Sequence, residues 1–117
     1  MGHLSTHVLD TANGCPAAGM RIRLQRLDGE AATDIKVETL NGDGRTGEPL
    51  FDASEMASGR YRLVFDVAAY FRDRGHTLPE PAFLDRVPLE FGIADIDGHY
   101  HVPLLVSPWS YSTYRGS

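Results

Sequence analysis

Two histidines one residue apart, His99 and His101 in "HYHVPLL", are the first residues whose spacing suggests chemistry. Residues i and i+2 of a strand face the same side. Imidazoles so placed can share a metal, with a third ligand such as His7 completing a zinc-like site. No cysteine pair and no HExxH segment strengthens the metal alternative. On pattern alone, one surface histidine beside one hydrogen-bonded core histidine fits better than a metal pair. Arg45 closes the Gly-rich stretch "NGDGRTG". Asn-Gly and Asp-Gly pairs make tight loops, and an arginine at the end of one can aim its guanidinium at carbonyl or anionic groups. A turn with a solvated arginine accounts for the same spacing. The stretch is not a phosphate loop, because the Lys-Ser/Thr pair and following helix are missing. His7 sits in "STHVLDT", and no GxSxG elbow accompanies it. His3 and His76 have no informative neighbours and are expected on the surface. Cys15, in a Gly/Pro turn, is expected to be a small filler. The closing "YSTYRGS" is unusual for a terminus: it gathers two tyrosines, an arginine, three hydroxyls and an α-carboxylate.

These residues need elements to hold them, and the pattern is mostly of short strands. "MRIRLQRL" alternates Met20, Ile22 and Leu24 against Arg21, Arg23 and Gln25, the period of a half-buried strand. "GRYRLVFDV" turns Tyr61, Leu63 and Phe65 inward, and "RVPLEFGIADI" does the same with Val87, Leu89, Phe91 and Ile93. "YHVPLLVS" is a further apolar run, and its Pro103 points to an edge strand or a bulge. "THVLD" and "DIKVETL" are weaker strands. Turn signals separate them: "NGCPAAG", "LDGEAAT", "NGDGRTGEP", "DIDGH" and "SPWS". "VAAYFRDRG" contains helix formers and stops at Gly75, which predicts one short, glycine-capped helix. The expected fold is all-β, an antiparallel sandwich of two sheets with one short helix.

The chain has 117 residues and reads as a single domain over 1–117. Its net charge of −5 argues against a nucleic-acid partner, which would call for clustered lysine and arginine. Apolar runs are too short for a membrane span. The first residues carry no signal-peptide pattern, and Gly2 lacks a convincing myristoylation context. With Cys15 alone, no intrachain disulfide can form. A cytoplasmic protein is expected.

Taken together, "THVLDT", "NGDGR", "HYHVPLLVSP" and the terminal "YSTYRGS" closely resemble the 5-hydroxyisourate hydrolases, the transthyretin-related enzymes of purine breakdown. The resemblance runs from Leu4 to Ser117. Transthyretin, the hormone carrier, shares the "VLD" and "YST" segments but lacks the two histidines, the loop arginine and the "YRGS" ending. Two stretches depart from the family pattern. "AFLDRVPLEF" replaces an aromatic-rich "FFPxVxxxF", and Trp109 stands where tyrosine or phenylalanine is common.

The resemblance implies a transthyretin-like two-sheet β-sandwich assembled as a homotetramer, a dimer of dimers, with active sites in a channel between subunits. The apolar and aromatic surplus of "LLVSPWSYST" suits such an interface, with simple core packing the alternative for Leu104, Leu105 and Val106. The implied reaction is hydrolysis of the cyclic amide of 5-hydroxyisourate, a small purine-derived molecule, to 2-oxo-4-hydroxy-4-carboxy-5-ureidoimidazoline, with no metal and no cofactor. The implied catalytic residues are His7, Arg45, His101 and Ser117, with Tyr114, Arg115 and Gly116 binding substrate. His101 is the leading candidate for the base and His7 for its partner, and the two could exchange roles. Arg45 would stabilise developing negative charge. The hydroxyl or α-carboxylate of Ser117 would position water or a histidine. The alternative function is a non-catalytic, transthyretin-like carrier of a small aromatic ligand.

Overall fold

The computed structural model describes residues 1–117. Eight strands and one helix follow in the order β1 (His3–Asp10), β2 (Cys15–Pro16), β3 (Arg21–Asp28), β4 (Ala31–Thr39), β5 (Gly59–Asp66), α1 (Val67–Asp73), β6 (Arg86–Ile93), β7 (His99–Val106) and β8 (Tyr111–Ser112). They form two four-stranded sheets, ordered β2-β1-β7-β8 and β4-β3-β5-β6. This is the two-sheet sandwich with one short helix that the sequence pattern implied.

The alternation explains the layers. On β5, Tyr61, Leu63 and Phe65 are buried; on β3, Ile22 and Leu24; on β6, Val87, Leu89 and Ile93. The facing sheet contributes Leu4 and Val8 from β1 and Tyr100, Val102, Leu104 and Val106 from β7. Twenty-three buried side chains form one connected core between the sheets. β4 shows why its pattern was weak: eight of its nine residues are exposed, and it is held by its ladder to β3 on an outer edge. The helix buries Val67, Ala68, Tyr70 and Phe71. It ends in paired bonds from the Gly75 N–H to the Arg72 carbonyl and from the His76 N–H to the Phe71 carbonyl. Gly75 has φ +92°, the left-handed conformation that this ending requires.

Two expectations need correction. The sheets are not wholly antiparallel: β1 and β7 pair in parallel over eight positions, from His3↔His99 to Asp10↔Val106. Parallel neighbours require a long crossover rather than a hairpin, and the intervening strands and helix supply it. Pro103 lies neither on an edge strand nor at a bulge, because β7 sits inside its sheet and its register with β1 runs unbroken through His7↔Pro103. The backbone N–H and carbonyl of His101 both point to the C-terminal segment. Pro103, two residues on, turns its missing donor to that same side. There the ladder is interrupted, and the Pro103 carbonyl accepts from the Thr113 hydroxyl at 2.7 Å. A proline is tolerated where a ladder bond is already absent.

No helix of the protein is long and apolar enough to cross a membrane.

Candidate active site on the outer face of the β1–β7 sheet

Strand geometry sets one row of side chains outward. On β1, even-numbered residues from Leu4 to Asp10 are buried, while His3, Ser5 and His7 are half-buried on the opposite face. On β7 the same face carries His99 and His101. The parallel register places His3 beside His99 and Ser5 beside His101. The His3 and His99 rings lie 4.3 Å apart, centre to centre. The Ser5 Oγ is 2.8 Å from His101 Nδ1. His99 turns its Nε2 to the Met1 carbonyl at 2.9 Å. His3, expected to be a plain surface residue, is part of this row.

The glycine-rich loop delivers Arg45. Asn41 Oδ1 accepts from the backbone N–H of Asp43 (2.9 Å) and of Arg45 (3.2 Å). The Asn41 N–H in turn donates to the Arg45 carbonyl at 2.8 Å. Gly44 adopts φ +71°, and a Cβ there would lie 2.5 Å from the Val8 carbonyl oxygen. Only glycine allows that approach. The Gly44 carbonyl then accepts from the Val8 N–H, and Arg45 bridges His7. Ser5, Thr6, Arg45, Thr46, Gly47, Glu48 and Pro49 line a polar cavity of about 170 Å³ at this point.

Beyond the two-residue β8, the C-terminal segment keeps to the sheet edge and returns to it at Gly116. Leu105↔Ser112, Val106↔Tyr111 and His101↔Gly116 are all in one antiparallel register. The Gly116 N–H donates to the His101 carbonyl at 2.8 Å and the His101 N–H to the Gly116 carbonyl at 3.3 Å. A Cβ at Gly116 would lie 2.9 Å from His101 Cδ2, so the absence of a side chain lets the segment lie against the imidazole. Arg115 points elsewhere, over the Tyr100 ring at 4.2 Å and toward the His99 carbonyl at 3.2 Å. Tyr114 is exposed. Tyr114 and Arg115 border an apolar groove with Leu89, Phe91, Tyr100 and Val102. Ser117 is exposed next to the bridged Gly116.

The electrostatics favour neutral imidazoles. Burial lowers the His101 pKa below its ordinary value, and the nearby Arg45, His7 and His3 lower it further. Burial and then Arg45 also lower that of His7, against the opposing pull of the Asp43 backbone and carboxylate. No group of three His, Cys, Asp or Glu side chains is arranged to hold a metal ion. His7, Arg45, His101 and Gly116 thus meet on one face, held by backbone bridges from three separate parts of the chain. Such a set can take a proton from water and stabilise an oxyanion. Ser5 was missed by sequence reasoning, although its i−2 spacing from His7 already put it on the same strand face.

The sequence profile of the HIUase/Transthyretin family matches residues 4–116. A 5-hydroxyisourate hydrolase 2 from Rhizobium meliloti (strain 1021) is 58% identical over 116 residues, covering 99% of this chain and 97% of that protein. Among solved structures, an (S)-allantoin synthase is similar with a TM-score of 0.92 and 50% identity over 99% of this chain; the chain spans only 44% of that longer protein. The 5-hydroxyisourate hydrolase of Klebsiella pneumoniae is similar with a TM-score of 0.80 and 35% identity, covering 100% of both chains.

Proposed function

The chain belongs to the HIUase/transthyretin family, and on that premise we propose that it hydrolyses 5-hydroxyisourate to 2-oxo-4-hydroxy-4-carboxy-5-ureidoimidazoline, in urate degradation. The observation that carries this is the convergence of His7, Arg45 and His101 on one sheet face, in a chain so similar to a protein of that name.

His101 takes a proton from water as the water oxygen bonds to the cyclic amide carbonyl carbon. Its lowered pKa keeps it neutral, and so able to accept, at neutral pH. His7 orients the water. Arg45 donates its N–H groups to the oxygen that becomes negative, an interaction stronger in the transition state than before it. The C–N bond then breaks. The proton on His101 passes to the leaving nitrogen, and the new carboxylic acid releases the water's second proton to solvent, leaving a carboxylate. Ser117 orders water beside His101, and Gly116 and Tyr114 border the bound ring, while Arg115, stacked on Tyr100, holds the segment that carries them rather than the substrate. No cofactor or metal enters these steps.

Residues 1–117 act as one hydrolase domain, assembled as a homotetramer, a dimer of dimers, with the β1–β7 face lining a channel between subunits. Exposed Leu9, Trp109 and Tyr111 support such an assembly. The one cysteine is free, which suits the reducing cytoplasm proposed for this enzyme.

The test is the ultraviolet decay of freshly generated 5-hydroxyisourate with catalytic amounts of protein, against a protein-free control. Accelerated decay supports the reaction, and decay at the control rate from folded protein refutes it. Light scattering on the same sample separates the tetramer from a monomer.

A further inference from the structure

We propose that Ser5 is a positioning residue for His101: its hydroxyl oxygen accepts the Nδ1–H and thereby leaves Nε2 as the unprotonated, basic nitrogen. The inference rests on the hydrolase reading above and deepens it, by saying what makes His101, rather than His7, the group that takes the proton from water.

Ser5 Oγ and His101 Nδ1 are 2.8 Å apart, across the parallel pairing of β1 with β7. A serine hydroxyl can donate or accept, so two arrangements fit that distance. In one, Ser5 donates to Nδ1, and His101 carries its proton on Nε2. It could then only donate to substrate, and His7 would be the base. In the other, Nδ1–H donates to Ser5, and Nε2 holds a lone pair. Nε2 has no hydrogen-bond partner within the chain. It is not among the buried unpartnered atoms, where only Arg62 Nε appears. It therefore reaches solvent, as a base acting on water must.

The second arrangement is also the one that survives proton uptake. When Nε2 is protonated during turnover, Nδ1–H keeps its acceptor and Ser5 need not move. In the first arrangement the hydroxyl would have to rotate away from a newly protonated ring. The titratable and charged groups facing His101 are Arg45 from the glycine-rich loop, His7 and His3 from β1, and His99 on its own strand. The C-terminal segment presents Gly116 there, followed by Ser117 with its α-carboxylate, while Arg115 is turned to Tyr100. No carboxylate is hydrogen-bonded to Nδ1, so Ser5 does what an aspartate does for many catalytic histidines: it fixes tautomer and ring orientation.

The experiment is nitrogen-15 NMR of the full chain, native and Ser5→Ala, with kcat measured across pH for native, Ser5→Ala and Ser5→Thr. The expected native spectrum has His101 protonated on Nδ1 and bare at Nε2. Ser5→Ala moves the proton toward Nε2 and lowers kcat by about 10- to 100-fold with KM changed less than about twofold, the signature of a lost transition-state role. Ser5→Thr keeps the hydroxyl and restores both. A native His101 protonated on Nε2, or a Ser5→Ala protein with unchanged tautomer and kcat, overturns the inference. Native protein with the Nδ1–H tautomer but no turnover of 5-hydroxyisourate would sink the proposed reaction and leave the Ser5 contact standing.

Discussion

Gly116→Ala should damage activity far more than stability. The new Cβ would lie 2.9 Å from His101 Cδ2, 3.1 Å from its Cβ and 3.3 Å from its Cγ. Carbon atoms rest at about 3.5–4.0 Å, so the shortest contact is too close by about 0.6 Å. The neighbour cannot give cheaply. It is the root of the imidazole, fixed by the β7 backbone and by Ser5 at Nδ1. One response is that the C-terminal segment lifts, straining two backbone bonds worth about 1 kcal/mol each. The other is that the ring shifts. A misplacement of about 1 Å at a catalytic group costs on the order of 100-fold, and either response disorders the same place. The expected loss in kcat/KM is about 10- to 100-fold. Stability in urea should change by only about 1 kcal/mol, because residue 116 lies outside the connected core. Gly42→Ala is the matched control: nothing lies within 4 Å of a Cβ there, and its rate should be unchanged. A Gly116→Ala protein with native turnover would refute the close packing of the segment on His101 as a functional feature.

Arg45→Ala should lower kcat by about 100- to 1,000-fold, the usual cost of an oxyanion donor. It should also move the acid limb of the pH–rate profile upward, since Arg45 helps to depress both His7 and His101. In the native enzyme that limb should lie below about pH 6.5, the ordinary histidine value, because both imidazoles stay neutral to lower pH. The same depression has a stability consequence. The unfolded chain protonates these histidines first, so stability should be full above about pH 6.5 and fall as the pH drops through that value toward the lower folded pKa values; urea titrations at pH 7.5 and 5.5 would show no difference if the depression were absent. Tyr70→Phe should cost about 1–3 kcal/mol in urea with kcat unchanged. It removes the 2.7 Å bond to the Asp10 carboxylate, which is 1% exposed. Burial works against that carboxylate, but bonds from Asn13 and Tyr70 outweigh it and hold its pKa low. An unaltered unfolding midpoint would count against this network.

Much of the sandwich was legible because its strands alternate cleanly. Tyr61, Leu63 and Phe65 carry the period of two, and so do Met20, Ile22 and Leu24; all six are buried. Gly75 marked the helix end because a positive φ is needed there. What periodicity cannot carry is pairing. Nothing local to "THVLD" and "HYHVPLLV" says that they run parallel, so an all-antiparallel sandwich was the natural expectation. The two-residue strands Cys15–Pro16 and Tyr111–Ser112 are too short to show any period. His7, Arg45 and His101 stand out as residue types. Their meeting depends on the parallel register and on a glycine, Gly44, that fits only against Val8. His76, expected to be a bare surface residue, packs its ring edge-on to Phe71 and pairs with Asn13. Cys15 lies 3.4 Å from an Arg74 guanidinium nitrogen, a contact across the fold that no local pattern announces.

The claim that the outer β1–β7 face performs the hydrolysis is tested most directly by three proteins side by side: native, His101→Ala and Arg21→Ala. Arg21 is exposed on the other sheet. Initial rates of 5-hydroxyisourate loss, corrected for spontaneous decay, should be equal for native and Arg21→Ala, and should fall by about 100-fold or more for His101→Ala. A His101→Ala protein that turns over at the native rate would contradict the account and place the chemistry elsewhere on the molecule.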